Sequence, residues 1–356
     1  MKNFIKEINY YQNKEIADIY KPTSFWNKLI QKNFDAIKKG KIRYFRNKSS
    51  GFVGFVPFHS EIRRAKLKKR ELTKILSLIS SYKTKEKQKR KMSNMILDTL
   101  NGYERAKNSY KILLTDTKKP LFYNFNESKV GNPTEQFNFD GKLFSASSLN
   151  YLTGLLFLKK YIPHFDNKIF LEIGGGFGTV GEILNNLKTK NFKYINLDLP
   201  PLNMISEFYL KKSCKRKVST HLDFRKEKYI NISKLNNFCC LPNFDIERLK
   251  GKIDIFVNFI SFQEMEYNVV NNYLEKIFKL KPNYILLRNL REGKNTKINT
   301  NKYKHKFLFF VNKPLKKSNY ISILKKNYKM LGSNVEPYGF KTWDNYNSEI
   351  LLFKRK

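Results

Sequence analysis

From residue 145 onward, short apolar runs alternate with helix-length segments. The runs are continuous rather than alternately polar, which is typical of strands buried on both faces of a parallel sheet. They read KIFLEI, YINLDL, NFCCL, IDIFVNFI and NYILLRNL. Segments such as PLNMISEFYLKKS and EYNVVNNYLEKIFKL lie between them. This repeated βα order predicts an α/β fold with a doubly wound, Rossmann-like sheet.

The C-terminal tail adds two apolar runs, KHKFLFFVN and SEILLFKRK. Neither is followed by a segment long enough to form another helix. We therefore expect two late strands that close the sheet antiparallel at its edge.

The N-terminal part begins with a helical pattern of apolar positions at three-four spacing. Thr23 or Ser24 is the predicted cap of this helix, and Gly40 is its predicted stop. The positions at this spacing are Trp26, Leu29, Ile30, Asn33 and Ile37, all of them apolar except Asn33. Such a stripe is typical of a helix packed against a core.

Further helices are predicted over 61–78 and 91–106, and a turn at Asp140–Gly141 joins two short alternating runs. The texture of the chain then changes from irregular and helical to alternating βα. We therefore predict a mostly helical acceptor-binding or cap region over 1–144, and the doubly wound domain over 145–356.

Composition narrows the class of protein. The chain has 356 residues, of which 41% are hydrophobic and 15% aromatic, and this excludes a disordered chain. No apolar run reaches the roughly 18 residues that span a bilayer, and acidic residues stand where a signal peptide needs its apolar stretch. Cys214, Cys239 and Cys240 fit neither an even disulfide framework nor a CxxC zinc spacing. We expect a cytoplasmic protein with no membrane span.

The net charge of +40 raises the question of an anionic partner. The composition is poor in Ala and rich in Lys, Asn and Ile, as codon bias in an AT-rich genome would produce, so part of the charge is background. The densest stretch, 63–91, holds 13 Lys or Arg against two Glu. It is either a solvated helical face or a contact for a phosphate-bearing substrate, a membrane surface or nucleic acid.

A glycine loop follows the first buried run, in FLEIGGGFGTVGEIL. Glycines between a strand and a helix let the backbone approach a ligand, and the first N–H groups of the helix face that ligand. Two fingerprints overlap here. The dinucleotide pattern GxGxxG uses Gly176, Gly178 and Gly181. The acidic pattern of S-adenosylmethionine enzymes uses Glu172, Gly174, Gly176 and Gly178, with Gly175 between them.

Three features favour S-adenosylmethionine over a dinucleotide. Glu172 at the strand end can help to hold the cationic methionine portion, whereas it would repel a pyrophosphate. The glycine strand lies in mid-chain behind a long helical segment, and the later strands suit five parallel strands plus a closing pair. Asp198, next to Leu199, ends the second run, where a carboxylate can accept hydrogen bonds from both ribose hydroxyls. Its alternative role is that of a helix cap.

Other cofactor contacts are expected at the ends of the remaining strands. Leu241 and Pro242 end the third run and are predicted to give apolar contact beside the adenine. Asn258, near the end of the fourth run, is assigned to the same cofactor site. Cys239 and Cys240 are interpreted as small buried apolar residues.

Three longer segments carry a family resemblance: FLEIGGGFG, YINLDLPPLNMISEFYL and IDIFVNFISFQEM, in that order. With VGNP upstream and FW near the start, they resemble the sugar O-methyltransferases found among bacterial surface-glycan genes. The DLP and SFQEM letters are more specific than the glycine loop. The resemblance implies a class I methyltransferase fold, S-adenosylmethionine as the donor and a sugar hydroxyl as the acceptor.

The residues after the fourth run are expected to face the reactive methyl group, because ligands of open α/β sheets meet at the carboxyl ends of the strands. Glu264 is the first candidate for the base that takes the acceptor proton, with a helix cap as its alternative role. Gln263 is expected to orient the acceptor or the methionine end. His305, after the fifth run, is the second candidate base.

No metal site is predicted, since Asp223, Asp245 and Asp254 are scattered and form no ligand motif. The remaining histidines are interpreted as surface or packing residues; they are His59, His164 and His221.

The functional hypothesis is a methyltransferase acting on a hydroxyl of a sugar, a nucleotide-sugar or a lipid-linked glycan intermediate. An RNA methyltransferase is the runner-up because of the charge, and a non-catalytic binding protein with the cofactor fold is the third reading. The sequence contains no NPPY-type motif and no recognisable RNA-binding appendage, which disfavours a nucleic acid partner. Peripheral contact with a membrane and the oligomeric state stay open.

Overall fold

The computed structural model describes residues 2–23, 26–55, 69–81, 85–86, 88–90, 92–93, 102–294, 314–342 and 346–356. The helices in these ranges are α1 (Lys2–Asn13), α2 (Asn27–Lys38), α3 (Lys69–Ser81), α4 (Gly102–Leu114), α5 (Ala146–Lys159), α6 (Thr179–Asn186), α7 (Leu202–Cys214), α8 (Tyr267–Lys279) and α9 (Lys317–Leu324).

The strands include all five of the predicted buried runs. They are β1 (Gln136–Phe139), β2 (Lys142–Ser145), β3 (Ile169–Ile173), β4 (Lys193–Asp198), β5 (Val218–Thr220), β6 (Ile230–Asn231), β7 (Phe238–Pro242), β8 (Leu249–Lys250), β9 (Ile255–Phe259), β10 (Tyr284–Leu290), β11 (Tyr328–Asn334), β12 (Phe340–Lys341) and β13 (Asn347–Arg355).

The main sheet has the strand order β11-β13-β10-β9-β3-β4-β7-β5, with β12 paired to β13. The six strands from β10 to β5 pair in parallel, and β13 inserts antiparallel between β10 and β11. This order, with an antiparallel strand next to the outermost one, is that of the class I methyltransferase fold. The predicted α/β, Rossmann-like class is therefore confirmed.

The sheet changes direction at β3. The chain goes from β3 to β4 and β7 on one side, and β9 and β10 are added on the other. At such a switch point the loops after the strands separate and leave a crevice at the carboxyl edge of the sheet. The glycine loop after β3 lies at this crevice.

Two apolar layers cover the sheet. One contains Val180, Leu184 and Tyr209 from α6 and α7; the other contains Leu274 from α8 and Leu324 from α9. The strands bury both faces because helices pack on each side. This accounts for the continuous apolar runs in the sequence.

The N-terminal part shares the first of these layers. Ile8, Phe45 and Phe122 belong to the same buried cluster as Phe170 of β3. The N-terminal part also buries a salt-bridge cluster, in which Arg46 contacts the carboxylates of Glu127 and Glu135. The division at 144/145 stays a prediction, since the core runs across it.

Two local predictions for the N-terminal part are confirmed. Gly40 follows α2 with a positive φ of 73°, and the Asp140–Gly141 turn joins β1 and β2. The predicted cap of α2 is wrong, because Trp26 is at the N-cap and its side chain makes no capping hydrogen bond. Ser24, the other predicted cap, lies outside the described residues. The Thr23 hydroxyl instead donates to the carbonyl oxygen of Glu264, 3.0 Å away.

The prediction for the C-terminal tail is confirmed for one strand and corrected for the other. SEILLFKRK forms β13, antiparallel to β10 as expected. The other described edge strand is β11, which lies after α9 rather than in KHKFLFFVN. That run lies outside the described residues, as do residues 61–68, 91 and 94–101 of the predicted helices, and His59.

Candidate functional site

The glycine loop leaves one open approach to its backbone. Gly176 has φ +57°, and a Cβ there would have no heavy atom within 4 Å. At Gly175, by contrast, a Cβ would lie 2.6 Å from Oε2 of Glu172 and 2.7 Å from Oδ1 of Asn196. The loop is therefore packed tightly from below and open on the side of Gly176.

Glu172 lies beneath this loop. Its side chain is fully buried, and the Tyr194 hydroxyl donates to Oε2 at 2.6 Å. Burial raises the pKa of this carboxyl to about 8. Among the described residues Glu172 is not part of the cavity wall, because its side chain points under Gly175. This geometry indicates that Glu172 supports the glycine loop. It does not indicate the direct contact with the methionine portion that the sequence predicts.

Asp198 ends β4 beside the loop. Its Oδ2 accepts from the Gly176 N–H at 2.8 Å and its Oδ1 from the Leu199 N–H at 2.7 Å. Burial raises the pKa of this carboxyl to about 7, while the two backbone donors act in the opposite direction. Asp198 and Leu199 both line the central cavity.

The cavity has a volume of about 790 Å³ and lies over the carboxyl edge of the sheet. The sheet side contributes the glycine loop, the end of β4 and the turn after β9. The N-terminal part contributes Lys21, Thr23, Trp26, Leu29, Gly54 and Phe55. The N-terminal part therefore covers the crevice, and a ligand there touches both halves of the chain.

Leu241 and Pro242 end β7 but are buried in the fold rather than in the wall of this cavity. The next residue, Asn243, does line it. Its Nδ2 donates to the Tyr20 carbonyl and the Tyr273 hydroxyl, each at 2.8 Å. Its Oδ1 is buried and has no hydrogen-bond partner among the described residues. Asn243 therefore lies at the cavity wall with one unpartnered acceptor, and a polar residue directly after an apolar run was the signal for it.

Asn258 and Gln263 hold the strand ends together. Asn258 donates to the Ile173 carbonyl at 3.0 Å and accepts from the Phe262 N–H at 3.2 Å. Gln263 accepts from the Leu290 N–H at 2.9 Å through Oε1. Neither forms part of the cavity wall among the described residues. Their geometry is that of positioning residues, and the predicted ligand contacts stay predictions.

The turn after β9 is strained at the cavity. Ile260 has φ +74°, which is rare for a β-branched residue and costs about 1–3 kcal/mol. Its N–H donates to the Arg288 carbonyl at 2.7 Å, which holds the turn in place. Ile260 and Ser261 both face the cavity. This strain has no signature in the sequence.

Glu264 faces the cavity and has a partner on each oxygen. The Trp26 indole donates to Oε2 at 3.0 Å, and the Lys294 ammonium contacts Oε1 at 2.9 Å. The carboxylate is thus held by one residue of the N-terminal part and one from the loop after β10. Its assignment as base stays a prediction. His305, the other candidate base, lies outside the described residues.

Arg288 is a cavity residue that the sequence reasoning missed. It lies in β10 with a fully buried side chain. Its signal was a lone charge inside the apolar run NYILLRNL. His221 is also buried, with Nδ1 2.6 Å from Asp245 and Nε2 3.0 Å from the Tyr10 hydroxyl. This pairing fits the packing role predicted for His221.

Within the described residues, no group of three or more His, Cys, Asp or Glu is arranged to hold a metal ion. In the same part of the chain, no helix has the length and apolar character needed to cross a membrane.

In comparisons with known proteins, no family model and no curated protein matches the chain. Among solved structures it is similar to magnesium protoporphyrin IX methyltransferase from Synechocystis with bound S-adenosylhomocysteine. The identity is 9%, 59% of this chain and 84% of that chain are covered, and the TM-score is 0.40. It is also similar to a S-adenosylmethionine-dependent methyltransferase from Aquifex aeolicus. Here the identity is 12%, the coverage 59% and 94%, and the TM-score 0.36.

These TM-scores are below 0.5, so the fold assignment depends on the strand order of the sheet. Nothing in these comparisons indicates a sugar O-methyltransferase specifically, so that resemblance stays an expectation from the three sequence segments.

Proposed function

We propose that this chain is a S-adenosylmethionine-dependent methyltransferase that methylates a hydroxyl of a sugar, in a nucleotide-sugar or a lipid-linked glycan. The observation that carries the proposal is the position of Asp198. Its carboxylate ends β4, is hydrogen-bonded to the glycine loop and faces a cavity that also contains Glu264. A carboxylate suited to bind the ribose hydroxyls of the methyl donor and a candidate base for the methyl acceptor therefore line the same cavity.

The cavity residues fit the proposed donor. Asp198 would accept from the ribose hydroxyls, and the open side of Gly176 would admit the ligand close to the backbone. The unpartnered Oδ1 of Asn243 would accept from the exocyclic amine of adenine. An unsatisfied buried acceptor is costly, so a donor from a ligand would remove that cost.

When bound, S-adenosylmethionine supplies an electrophilic methyl group on a sulfonium. The chain's own residues would align the acceptor and take its proton. Glu264 is suited to that role by its position in the cavity wall. The rings of Trp26, Phe55 and Tyr151 line the same space and would stack on the apolar faces of a sugar.

RNA is the second candidate acceptor, favoured by the net charge of +40. The N-terminal residues that cover the cavity favour a small acceptor instead, because a polynucleotide needs an open track along the surface.

Calorimetry with S-adenosylhomocysteine tests the donor, and we expect micromolar affinity. Preferential binding of NADH would overturn the donor assignment. Transfer of a radiolabelled methyl group to nucleotide-sugars, compared with bulk RNA, tests the acceptor. Labelling of RNA alone, with RNA binding that weakens steeply as salt rises, would replace the sugar by RNA.

A further inference from the structure

Arg288 lines the cavity and has two guanidinium nitrogens without a protein partner among the described residues. Its Nη1 donates to the Asn150 carbonyl at 2.6 Å. Its Nε and Nη2 are buried and have no hydrogen-bond partner among the described residues. These two nitrogens form the side of the guanidinium that presents two parallel N–H groups, the geometry that binds carboxylate or phosphate in a bidentate manner.

Arg46 shows how this chain pairs a buried arginine that serves the fold. Its Nε donates to Glu135 at 2.8 Å, and its Nη2 to Glu127 at 2.7 Å. Its Nη1 donates to the Ser128 carbonyl at 3.3 Å. All three nitrogens have a protein acceptor. Arg288 has one such acceptor, and no carboxylate of the described residues lies within 4.0 Å of it.

The surroundings of Arg288 hold the guanidinium without neutralising it. Its Cζ lies 4.9 Å from the centre of the Phe259 ring and 5.5 Å from that of Phe340. Burial lowers the pKa of Arg288 to about 10, so it stays charged at neutral pH. A buried charge without a counterion is expensive, and an anionic ligand would supply the counterion.

The neighbouring wall is polar. Ser147, Asn150 and Tyr151, from the first turns of α5, line the cavity together with Arg288. The N-terminus of α5 is already capped by Ser145, and the Glu127 carboxylate accepts from the Ser145 N–H and the Ser148 hydroxyl there. The positive charge of this wall that lacks a carboxylate partner among the described residues is therefore the guanidinium of Arg288.

We propose that the Nε–Nη2 edge of Arg288 receives an oxyanion, a carboxylate or a phosphate, of a reactant bound in this cavity. The oxyanion has two possible sources under the proposed function, on which this inference rests. One is the amino-acid carboxylate of the methyl donor, and the other is an anionic group on the acceptor.

The test compares the unmodified chain with Arg288→Met, which keeps the side-chain length and removes the charge. Arg291→Met is the matched control, because Arg291 is half-exposed and paired with Glu349 at 2.7 Å. Calorimetry measures binding of S-adenosylhomocysteine and of 5′-methylthioadenosine, which lacks the amino-acid portion. Thermal unfolding with inorganic phosphate, at ionic strength held constant with chloride, measures oxyanion binding without a nucleoside.

A donor carboxylate predicts that Arg288→Met weakens S-adenosylhomocysteine binding about 10- to 100-fold and leaves methylthioadenosine binding unchanged. An acceptor anion predicts unchanged S-adenosylhomocysteine binding and loss of the phosphate-induced stabilisation. Arg291→Met should behave like the unmodified chain in both assays. If Arg288→Met retains both properties, the inference is wrong.

Arg288→Lys covers the case in which the Met variant does not fold. It keeps the charge but cannot present two parallel N–H groups, so the same losses are expected in smaller measure. If the unmodified chain binds no S-adenosylhomocysteine but shows an Arg288-dependent response to phosphate, the proposed function fails and the oxyanion site stands. If it responds to neither ligand, both fail.

Discussion

The indole N–H of Trp26 donates to Oε2 of Glu264 at 3.0 Å, although the two residues are 238 positions apart. Lys294 contacts the other oxygen of Glu264 at 2.9 Å. The carboxylate therefore has two structural partners in the cavity wall, in addition to the acceptor proton assigned to it. Any variant of Glu264 tests proton transfer and attachment of the N-terminal cover together, so the two must be separated by a second variant.

We expect Glu264→Gln to lower turnover by about 10²–10⁴, the usual effect of removing a positioned base. The affinity for S-adenosylhomocysteine should be nearly unchanged, because the glycine loop and Asp198 are untouched. Steady-state kinetics and calorimetry measure the two quantities. His305→Ala should have a mild effect.

Trp26→Phe is the control, since it removes the hydrogen bond to Glu264 and keeps an aromatic ring. If Trp26→Phe reproduces the loss of turnover, Glu264 acts by holding the cover. A change confined to the KM of the acceptor indicates that Glu264 only binds the sugar. Full activity of Glu264→Gln, with inactive His305→Ala, would assign the base to His305.

The strands and the glycine loop could be predicted because their signals are local. A buried parallel strand needs a continuous apolar run, and β3, β4, β7, β9 and β10 each have one. β11 was not predicted as an edge strand, because within the described ranges it pairs with β13 alone and six of its seven residues are at least partly exposed. An edge strand of this kind needs no apolar run, so its sequence resembles that of a loop.

The candidate site was predictable only where a residue's neighbours in sequence are also its neighbours in space. Asp198 ends its own strand, as the run YINLDL predicts, and its contact with a ribose stays a prediction. Thr23 was predicted to cap α2 because of its place before the helix, yet its hydroxyl donates to Glu264 across the cavity. Glu172 has the expected position in the loop pattern, but the packing of Tyr194 turns its carboxylate under the loop. Such contacts depend on the tertiary fold and leave no mark in a single sequence.

Gly176→Val should abolish binding of S-adenosylhomocysteine. The side chain would project into the open space over the loop, and a β-branched residue is strained at φ +57°. Calorimetry measures the loss. Gly141→Val is the matched control, because Gly141 also has a positive φ, +76°, and open space around it, but lies in the β1–β2 turn. Equal loss of binding in both variants would attribute the effect to unfolding.

Asp198→Ala should weaken S-adenosylhomocysteine binding by about 1.5–3 kcal/mol, the range for hydrogen bonds to a charged group. The ionised carboxylate is the better acceptor for the ribose hydroxyls, and its pKa in the free protein is about 7. The affinity of the unmodified chain should therefore rise with pH through about 7 and level off above 8. Titration calorimetry from pH 6 to 9 tests this, with Asp198→Asn as the control that lacks the titration. If the unmodified chain and Asp198→Asn show the same pH profile of affinity, Asp198 is not the cause of that profile.

Glu172 should make folding stability depend on pH. Its pKa is raised from 4.5 to about 8 in the folded chain, so between these values the folded state holds a proton that the unfolded state has lost. The free energy of unfolding therefore falls as pH rises from about 4.5 to about 8. In Glu172→Gln the uncharged amide can still accept from the Tyr194 hydroxyl and cannot ionise. The stability of the variant minus that of the unmodified chain should therefore increase by roughly 2–5 kcal/mol from pH 5 to pH 9. Urea unfolding at several pH values measures this difference; a difference that does not change with pH would mean that Glu172 is ionised in the folded state throughout.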